Sequence, residues 1–534
     1  MSEYTAHVDL FARNRLPPSD LCPEFLFELP ELRYPDRINC GVALLDQAID
    51  EGHGSRVALY SDSGNWSYAE LLERTNRIAN VLVLDMGVVP GNRVLLRAPN
   101  NPMLAACWLA VMKAGAIAVT TMPMLRAKEL AVIAERAQID HALCDARIVA
   151  ELRLAAEQGG RLRHIVTFGD GELETLMNRR AASFSNIDTS RDDVCLLAFT
   201  SGTTGIPKAT MHFHRDVLAM CEVVGRRLLA LRTEDICVGS PPLGFTFGLG
   251  ALLAFPLGCR AATALVEQPT PDNLLSAVQR FRATTLFTAP TAYRNLVATV
   301  SKYDVSSLRR CVSAGEPLPK STSDAWYAAT GMRIIDGIGA TEMVHIFISA
   351  NGADIRPGAT GRPLPGYRAC VLDEHDRPLP HGHAGRLAVK GPTGCRYLDD
   401  ERQRSYVRNG WNVTGDIYFV DEDGYFWFQA RADDMIVSGG YNIAGPEVEA
   451  ALAGHQAVRE CAVVGTPDEA RGQIVKACIV LNDGYMPEPA LAKELQDFVK
   501  LAIAPYKYPR AIEFMEALPK TQTGKVQRHV LRAR

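Results

Sequence analysis

Thr200 to Lys208 reads TSGTTGIPK, and this stretch decides the fold. It follows an apolar run, Val194 to Phe199, with the pattern of a buried strand, and a helical pattern resumes near Arg215. Between them stand three hydroxyl residues (Ser201, Thr203, Thr204), two glycines (Gly202, Gly205) and Lys208. Glycine lets successive backbone N–H groups converge on an anion, hydroxyls add donors, and the lysine adds a full positive charge. The combination predicts a loop wrapped around phosphate. It is not a Walker A loop, because Pro207 stands where the second glycine of GxxxxGK[ST] belongs and Ala209 follows the lysine. Alone, the stretch also suits a solvated Ser/Thr/Gly turn; its companions in the chain decide between the two.

Working outward, strands alternate with helices on both sides of the loop. Ser67 and Glu70 form a capping box ahead of a helix reaching to about Met86. Strands are expected at Arg93–Arg97, Ala116–Met122, His141–Cys144 and His164–Phe168, with helices at Pro102–Lys113 and Arg126–Gln138. After the loop come helix His214–Leu231 and strands Ile236–Ser240, Arg260–Val266, Thr285–Thr288, Arg310–Ser313 and Arg333–Asp336, with further helices between. Such alternation predicts βαβ crossovers and mainly parallel sheets covered on both faces. From Gly352 to Phe428 the chain turns to Gly, Pro and short alternating runs, a β-rich subdomain; the last hundred residues read as a compact α+β unit. The expected class is α/β: two parallel-sheet subdomains and a β-rich subdomain in a large domain over residues 1–432, then a small mobile α+β domain over 433–534.

Composition narrows the function. A chain of 534 residues exceeds what one hydrophobic core usually supports, which calls for several domains. A net charge of −4 gives no electrostatic footprint for nucleic acid. The thirteen cysteines are scattered without a C-x-x-C pair, which fits reduced, buried thiols in a cytoplasmic protein rather than a disulfide framework or zinc site. No signal-peptide pattern opens the chain. Within the longest uncharged run, Gly239 to Cys259 holds five glycines and three prolines, so a buried loop and helix are expected there, not a membrane span.

Four further clusters sit near expected strand ends, where open α/β sheets place their ligands. Asp336 to Glu342 reads DGIGATE, ending in a hydroxyl that can donate to phosphate and a carboxylate that can hold a hard cation such as Mg2+. Thr414-Gly415-Asp416 places a carboxylate at an expected tight turn. Arg431 to Asn442 reads RADDMIVSGGYN, which also suits an ordinary linker, and Pro519 to Arg528 reads PKTQTGKVQR, which also suits a solvated basic tail.

The order TSGTTGIPK, DGIGATE, TGD, RADDMIVSGG, PKTQTGK, at these separations, resembles the AMP-forming acyl-adenylate ligases from about Ser67 to the C-terminus. The segment DGIGATEMVHIFISA resembles the benzoate-CoA ligase branch, and HVDLFARNRLPP with LPELRYPDRINCGVALLD resembles 2-aminobenzoate-CoA ligases. The resemblance implies ATP, Mg2+ and coenzyme A as co-substrates and cofactor, a small aromatic acid as partner, and a monomer or homodimer. Thr200, Ser201, Gly202, Thr203, Thr204, Gly205 and Lys208 would enclose the ATP phosphates. Gly315, Glu316, Pro317, Asp336, Gly337 and Ile338 would line the adenine; most of the superfamily has an aromatic residue at the position of Ile338, so stacking there is replaced by van der Waals contact. Thr341 would meet the α-phosphate, Glu342 the metal, Asp416 the ribose, and Arg431 the ribose or phosphate. Asp433 matches a hinge, Ser438, Gly439 and Gly440 a CoA-binding segment, and Lys525 the lysine that bridges substrate carboxylate and α-phosphate.

The acid would lie among Phe245, Thr246, Phe247, Phe255, Ile338 and His345, since flat side chains suit an aromatic ring. Phe247 and His345 also read as core residues. The expected reaction is ATP-dependent CoA ligation of a benzoate-like acid, 2-aminobenzoate first. Two other functions fit the motifs: acyl transfer to a separate carrier protein, and a nucleotide-binding scaffold without activity.

Overall fold

The computed structural model describes residues 3–159, 161–200, 207–438, 441–468, 471–503, 505–521 and 524–534. Two compact units emerge: residues 1–369 with 389–412, and residues 370–388 with 413–534. Strands Arg368–Leu372, Gly385–Lys390 and Trp411–Val420 begin in one unit and end in the other.

In the first unit a six-stranded sheet runs in the order His164–Phe168, His141–Asp145, Arg93–Arg97, Ile117–Thr121, Val194–Thr200, Lys208–Phe213. All neighbours are parallel except the last pair, which is antiparallel. The strands Arg93–Arg97, Ile117–Thr121 and His141–Asp145 are buried at every position, as expected where helices cover both faces. A nine-stranded sheet has a parallel centre, from Val57–Tyr60 through Ala262–Ala264, Ile236–Gly239, Thr285–Thr288 and Arg310–Ala314 to Ile334–Gly339. Antiparallel strands Ile346–Ser349 and Arg362–Pro363 extend one edge, and Trp66–Ser67 the other. The α/β reading therefore holds.

Three local expectations change. The six residues after Pro207 form a strand rather than a lead into helix: Lys208–Phe213 pairs with Val194–Thr200 from Thr200↔Lys208 to Val194↔Phe213. The period-2 alternation of Lys208, Thr210, His212 against Ala209, Met211, Phe213 carries that signal. Asp336 does not close its strand but sits inside it, because Ile334–Gly339 continues through DGIG to pair with Ile346–Ser349. Thr414-Gly415-Asp416 lies within the strand Trp411–Val420 rather than at a turn, with Gly415 at φ 79°.

In the second unit, strands Tyr441–Ala444, Met435–Ser438, Gly472–Leu481 and Val458–Asp468 follow one another across a sheet, with Ala511–Phe514 on Gly472–Leu481. Helices Gly445–Leu452 and Pro489–Ala502 contribute Val448, Leu452, Leu491, Leu495 and Val499 to its core.

The thirteen cysteines are free, ten of them buried. Cys40, Cys195 and His214 come within 4.8 Å of one another. His214 Nδ1 accepts the Cys40 backbone N–H at 3.1 Å, which occupies the lone pair a metal would need. Among the described residues, no helix is long and apolar enough to cross a membrane.

The capping box forms as read: Glu70 N–H donates to Ser67 Oγ at 3.2 Å, and Ser67 N–H to Glu70 Oε2 at 2.8 Å, at the head of helix Tyr68–Leu84. Ser67→Ala is expected to lower unfolding free energy by about 1 kcal/mol. Urea denaturation of the two proteins measures it, and an unchanged midpoint would show that this cap adds nothing.

Candidate functional site

Within the first unit, the Lys208–Phe213 strand brings the chemistry-bearing residues together. Its side chains Lys208 and His212 both meet the turn Thr341–Met343. His212 Nε2 donates to the Thr341 carbonyl at 2.8 Å; a carbonyl can only accept, so Nε2 carries the proton. Lys208 Nζ lies 3.8 Å from Glu342 Oε1. The hydroxyl of Tyr397, a residue that sequence reasoning passed over, bonds both: it donates to Glu342 Oε1 and accepts from Lys208 Nζ at 3.1 Å. Burial, then the neighbouring carboxylate, push the Tyr397 phenol far above its ordinary pKa, so it remains a donor.

The support behind this cluster was equally silent in the sequence. Residues 396–398 bridge to the Lys208–Phe213 strand, with Met211 N–H donating to the Arg396 carbonyl at 2.8 Å and Leu398 N–H to the Ala209 carbonyl at 2.9 Å. Arg396 donates to Asp216 Oδ2 at 2.7 Å. Burial alone would raise the Asp216 carboxyl, but the Arg396 charge, helped by His212 and Arg215, holds it well below the usual carboxylate range. These are contacts between distant segments, and no local period announces them.

After Glu342 the chain does something costly. Val344, β-branched and buried, takes φ 65°, a region L-residues with branched side chains avoid. Val344 N–H donates to the Thr341 carbonyl at 3.1 Å, closing the turn. The reversal sends Ile346–Ser349 back along Ile334–Gly339 and puts His345 among aromatic rings. Phe247 lies 5.6 Å from the His345 ring centroid, and Phe255 meets it edge-on at 4.5 Å. Phe255 is fully buried and backs the histidine, while Phe247 is part-exposed. A Cβ on Gly250 would stand 2.5 Å from His345 Cδ2 and 2.7 Å from Phe255 Cζ, so only glycine admits this packing.

His345 Nε2 faces the Phe247 carbonyl at 3.3 Å and must therefore donate. That leaves Nδ1 as a bare lone pair, buried and without a partner. Burial pushes the His345 pKa down to about 3, so the ring is neutral at physiological pH and Nδ1 can only accept. Thr246 opens the short helix Thr246–Leu249, with Phe245 just before it. The preceding loop is fixed by Asn100, another residue missed in the sequence, which donates to the Pro241 carbonyl at 3.0 Å and accepts from Leu243 N–H at 2.8 Å.

The residues expected around adenine follow two adjacent strands. Gly315, at φ 91°, Glu316 and Pro317 come directly after Arg310–Ala314; Glu316 accepts from Thr291 Oγ1 at 2.7 Å. Asp336, Gly337 and Ile338 lie in the neighbouring strand. Asp336 borders a cleft with Leu318, Ser323, Ala350 and Thr360, and its Oδ1 is closed off without a partner. Burial raises its pKa to about 7. Thr200 ends its strand, while Ser201, Gly202, Thr203, Thr204 and Gly205 lie outside the described residues.

In the second unit, Asp416 and Arg431 stand opposite each other in an antiparallel pair and form an ion pair at 3.1 Å. A Cβ on Gly415 would come 3.4 Å from the Arg431 guanidinium. Ser438 is buried at the end of Met435–Ser438; Gly439 and Gly440, and the side chain of Asp433, lie outside the described residues. Lys525 is exposed; Thr521 N–H donates to its carbonyl at 2.7 Å, and its own N–H donates to Thr521 Oγ1 at 3.1 Å.

Residues 45–396 match the AMP-binding enzyme family, and residues 447–525 the AMP-binding enzyme C-terminal domain. This chain belongs to the AMP-binding enzyme family. It is 35% identical to the benzoate–CoA ligase of Thauera aromatica over 94% of this chain and 97% of that one. Among solved structures it resembles the anthranilate CoA ligase AuaEII in complex with anthranoyl-AMP, with a TM-score of 0.90, 34% identity, and 95% and 98% of the two chains covered. A benzoate CoA ligase from Burkholderia xenovorans LB400 follows at a TM-score of 0.85, 31% identity and 93% and 100% coverage. The resemblance read from the motifs is thereby borne out.

Asp336 has a pH signature. Its folded pKa of about 7 lies above the ordinary 3.8, so the native state binds the proton more tightly and loses stability as pH rises from about 4 to 7. Asp336→Asn removes that dependence. The variant's melting temperature is expected to gain on the wild type's as pH rises through this window and to hold a constant lead above pH 7. A difference that stays flat from pH 4 to 8 would place the carboxyl in water.

Proposed function

We propose that the protein is an AMP-forming aryl-CoA ligase whose best substrate is 2-aminobenzoate, with benzoate and small ortho-substituted analogues also accepted. The observation that carries this reading is the bare Nδ1 acceptor of neutral His345, set beside Phe247 and Phe255. An aromatic cage suits a ring, and a buried acceptor without a partner suits a ring bearing an N–H donor. The benzoate and anthranilate ligases to which the chain is similar support the same substrate class.

In the first half-reaction the substrate carboxylate attacks the α-phosphorus of ATP and diphosphate leaves. Two anions meet, and preorganised donors lower the cost. Lys208 and the phosphate loop would hold the terminal phosphates, and Thr341 the α-phosphate. Gly315, Glu316, Pro317, Asp336, Gly337 and Ile338 would hold the adenine. Asp416 would accept from the ribose hydroxyls, with Arg431 beside it. Glu342 offers a carboxylate oxygen of the hard kind that Mg2+ takes, and that ion, when bound, supplies charge neutralisation at phosphate oxygens. Lys525 would bridge the carboxylate and the α-phosphate. In the second half-reaction the CoA thiol would displace AMP, and Ser438, Gly439 and Gly440 would belong to the CoA-binding segment that the resemblance implies. The domain formed by residues 433–534 would turn at Asp433 between the two, carrying Lys525 away.

AMP release with CoA and a panel of acids tests the reading. The hydrogen bond to His345 is worth about 0.5–1.5 kcal/mol, roughly two- to tenfold in kcat/KM for 2-aminobenzoate over benzoate. In His345→Phe that ratio should fall towards one. Hexanoate or cinnamate outperforming both would sink the aryl pocket, and acid-dependent ATP–diphosphate exchange that yields no CoA thioester would favour a separate carrier protein.

Lys525→Ala is expected to cripple adenylation while thioester formation from pre-made aryl-AMP changes little, because the charge is needed only where the two anions meet. Equal losses in both half-reactions, followed by rapid quench, would reduce the lysine to a structural role.

A further inference from the structure

We propose that Tyr397 is a positioning residue of the nucleotide site: its hydroxyl stands between Lys208 and Glu342, keeping the ammonium available to phosphate and the carboxylate available to a hard divalent cation. The inference rests on the adenylation reading and adds to it a residue outside the motifs.

The geometry is specific. A phenol has one proton and two lone pairs, so donating to Glu342 Oε1 and accepting from Lys208 Nζ at 3.1 Å are compatible at once. With the hydroxyl bonded to both, Nζ and Oε1 stay 3.8 Å apart, beyond direct hydrogen-bond distance. Left to themselves, an ammonium and a carboxylate this close would form a contact pair, with each charge spent on the other. The hydroxyl lowers the attraction without removing either charge.

Three independent restraints hold the hydroxyl there. The backbone of Tyr397 bridges to Thr210, two residues along the same strand from Lys208. Tyr397 N–H donates to Gln403 Oε1 at 2.8 Å. The ring packs edge-on against Tyr406 with centroids 5.8 Å apart. Tyr397 is buried, and its position is set by the sheet that sets Lys208. A residue serving only to fill space would need neither the hydroxyl nor this register.

Tyr397→Phe tests the proposal, since it removes the hydroxyl and keeps the ring. Two readings are taken. Half-saturating Mg2+ in ATP–diphosphate exchange is expected to rise about tenfold, the scale of one charge-assisted hydrogen bond. Binding of Mn2+·ATP, followed by electron paramagnetic resonance without any acid present, should weaken by a similar factor. Thioester formation from pre-made aryl-AMP should change less than about twofold by the same argument. Glu342→Gln and the double variant complete a cycle: if Tyr397 acts through Glu342, the double variant loses no more than Glu342→Gln alone. The double variant also removes the carboxylate that Tyr397→Phe leaves without its donor, so it reports even where the single variant folds poorly. Unchanged metal dependence, additive losses in the cycle, or equal declines in both half-reactions would overturn the proposal. Failure of the wild type itself to bind Mn2+·ATP would instead overturn the adenylation reading.

Discussion

The site depends on one antiparallel pairing in an otherwise parallel sheet. Lys208–Phe213 folds back on Val194–Thr200, and that reversal lets Thr200 and Lys208 be fixed by the same hydrogen-bond ladder. Parallel strands need long crossovers, whereas an antiparallel pair can follow directly in the chain. One face of the new strand then presents Lys208, Thr210 and His212 two residues apart. The Thr341–Glu342 turn is gripped from that face, at its carbonyl by His212 and at its carboxylate through Tyr397. Residues attached to the two sheets of the first unit are thereby tied together at this turn.

Two buried groups of this unit show how the same physical cause gives opposite chemistry. Withdrawal from water disfavours charge, which keeps Asp336 protonated up to about pH 7 and keeps His345 neutral down to about pH 3. The carboxyl thus becomes a possible hydrogen-bond donor where an acceptor would be assumed, and the imidazole becomes a pure acceptor where a cation would be assumed. Asp216 escapes the trend because Arg396, helped by His212 and Arg215, stands beside it.

What could be read in the sequence was what repeats locally. Alternation and helical period marked His164–Phe168, Thr285–Thr288 and Pro102–Lys113 closely, and Ser67 with Glu70 marked a helix start by chemistry alone. The phosphate loop, DGIGATE and the C-terminal lysine were visible because glycines, hydroxyls and charges crowd into a few residues. The short strand Lys208–Phe213 was passed over although its alternation is regular, because a loop motif on one side and a helix on the other claimed its ends. Asn100, Asp216, Arg396 and Tyr397 could not be found that way. Each acts on a partner far along the chain, and nothing in its own neighbourhood differs from an ordinary loop or helix residue.

The left-handed backbone at Val344 has a consequence for anyone who would make this enzyme more heat-resistant. Holding a β-branched residue there costs on the order of 1–3 kcal/mol, and glycine at the same place would relieve most of it. A screen that rewards survival on heating would therefore be drawn to this codon. The relief would come from slackening the segment that connects Glu342, bonded to Tyr397, to His345, packed against Phe247 and Phe255. Heat resistance and the fixed placement of Glu342 relative to His345 would then be selected in opposite directions by a single residue.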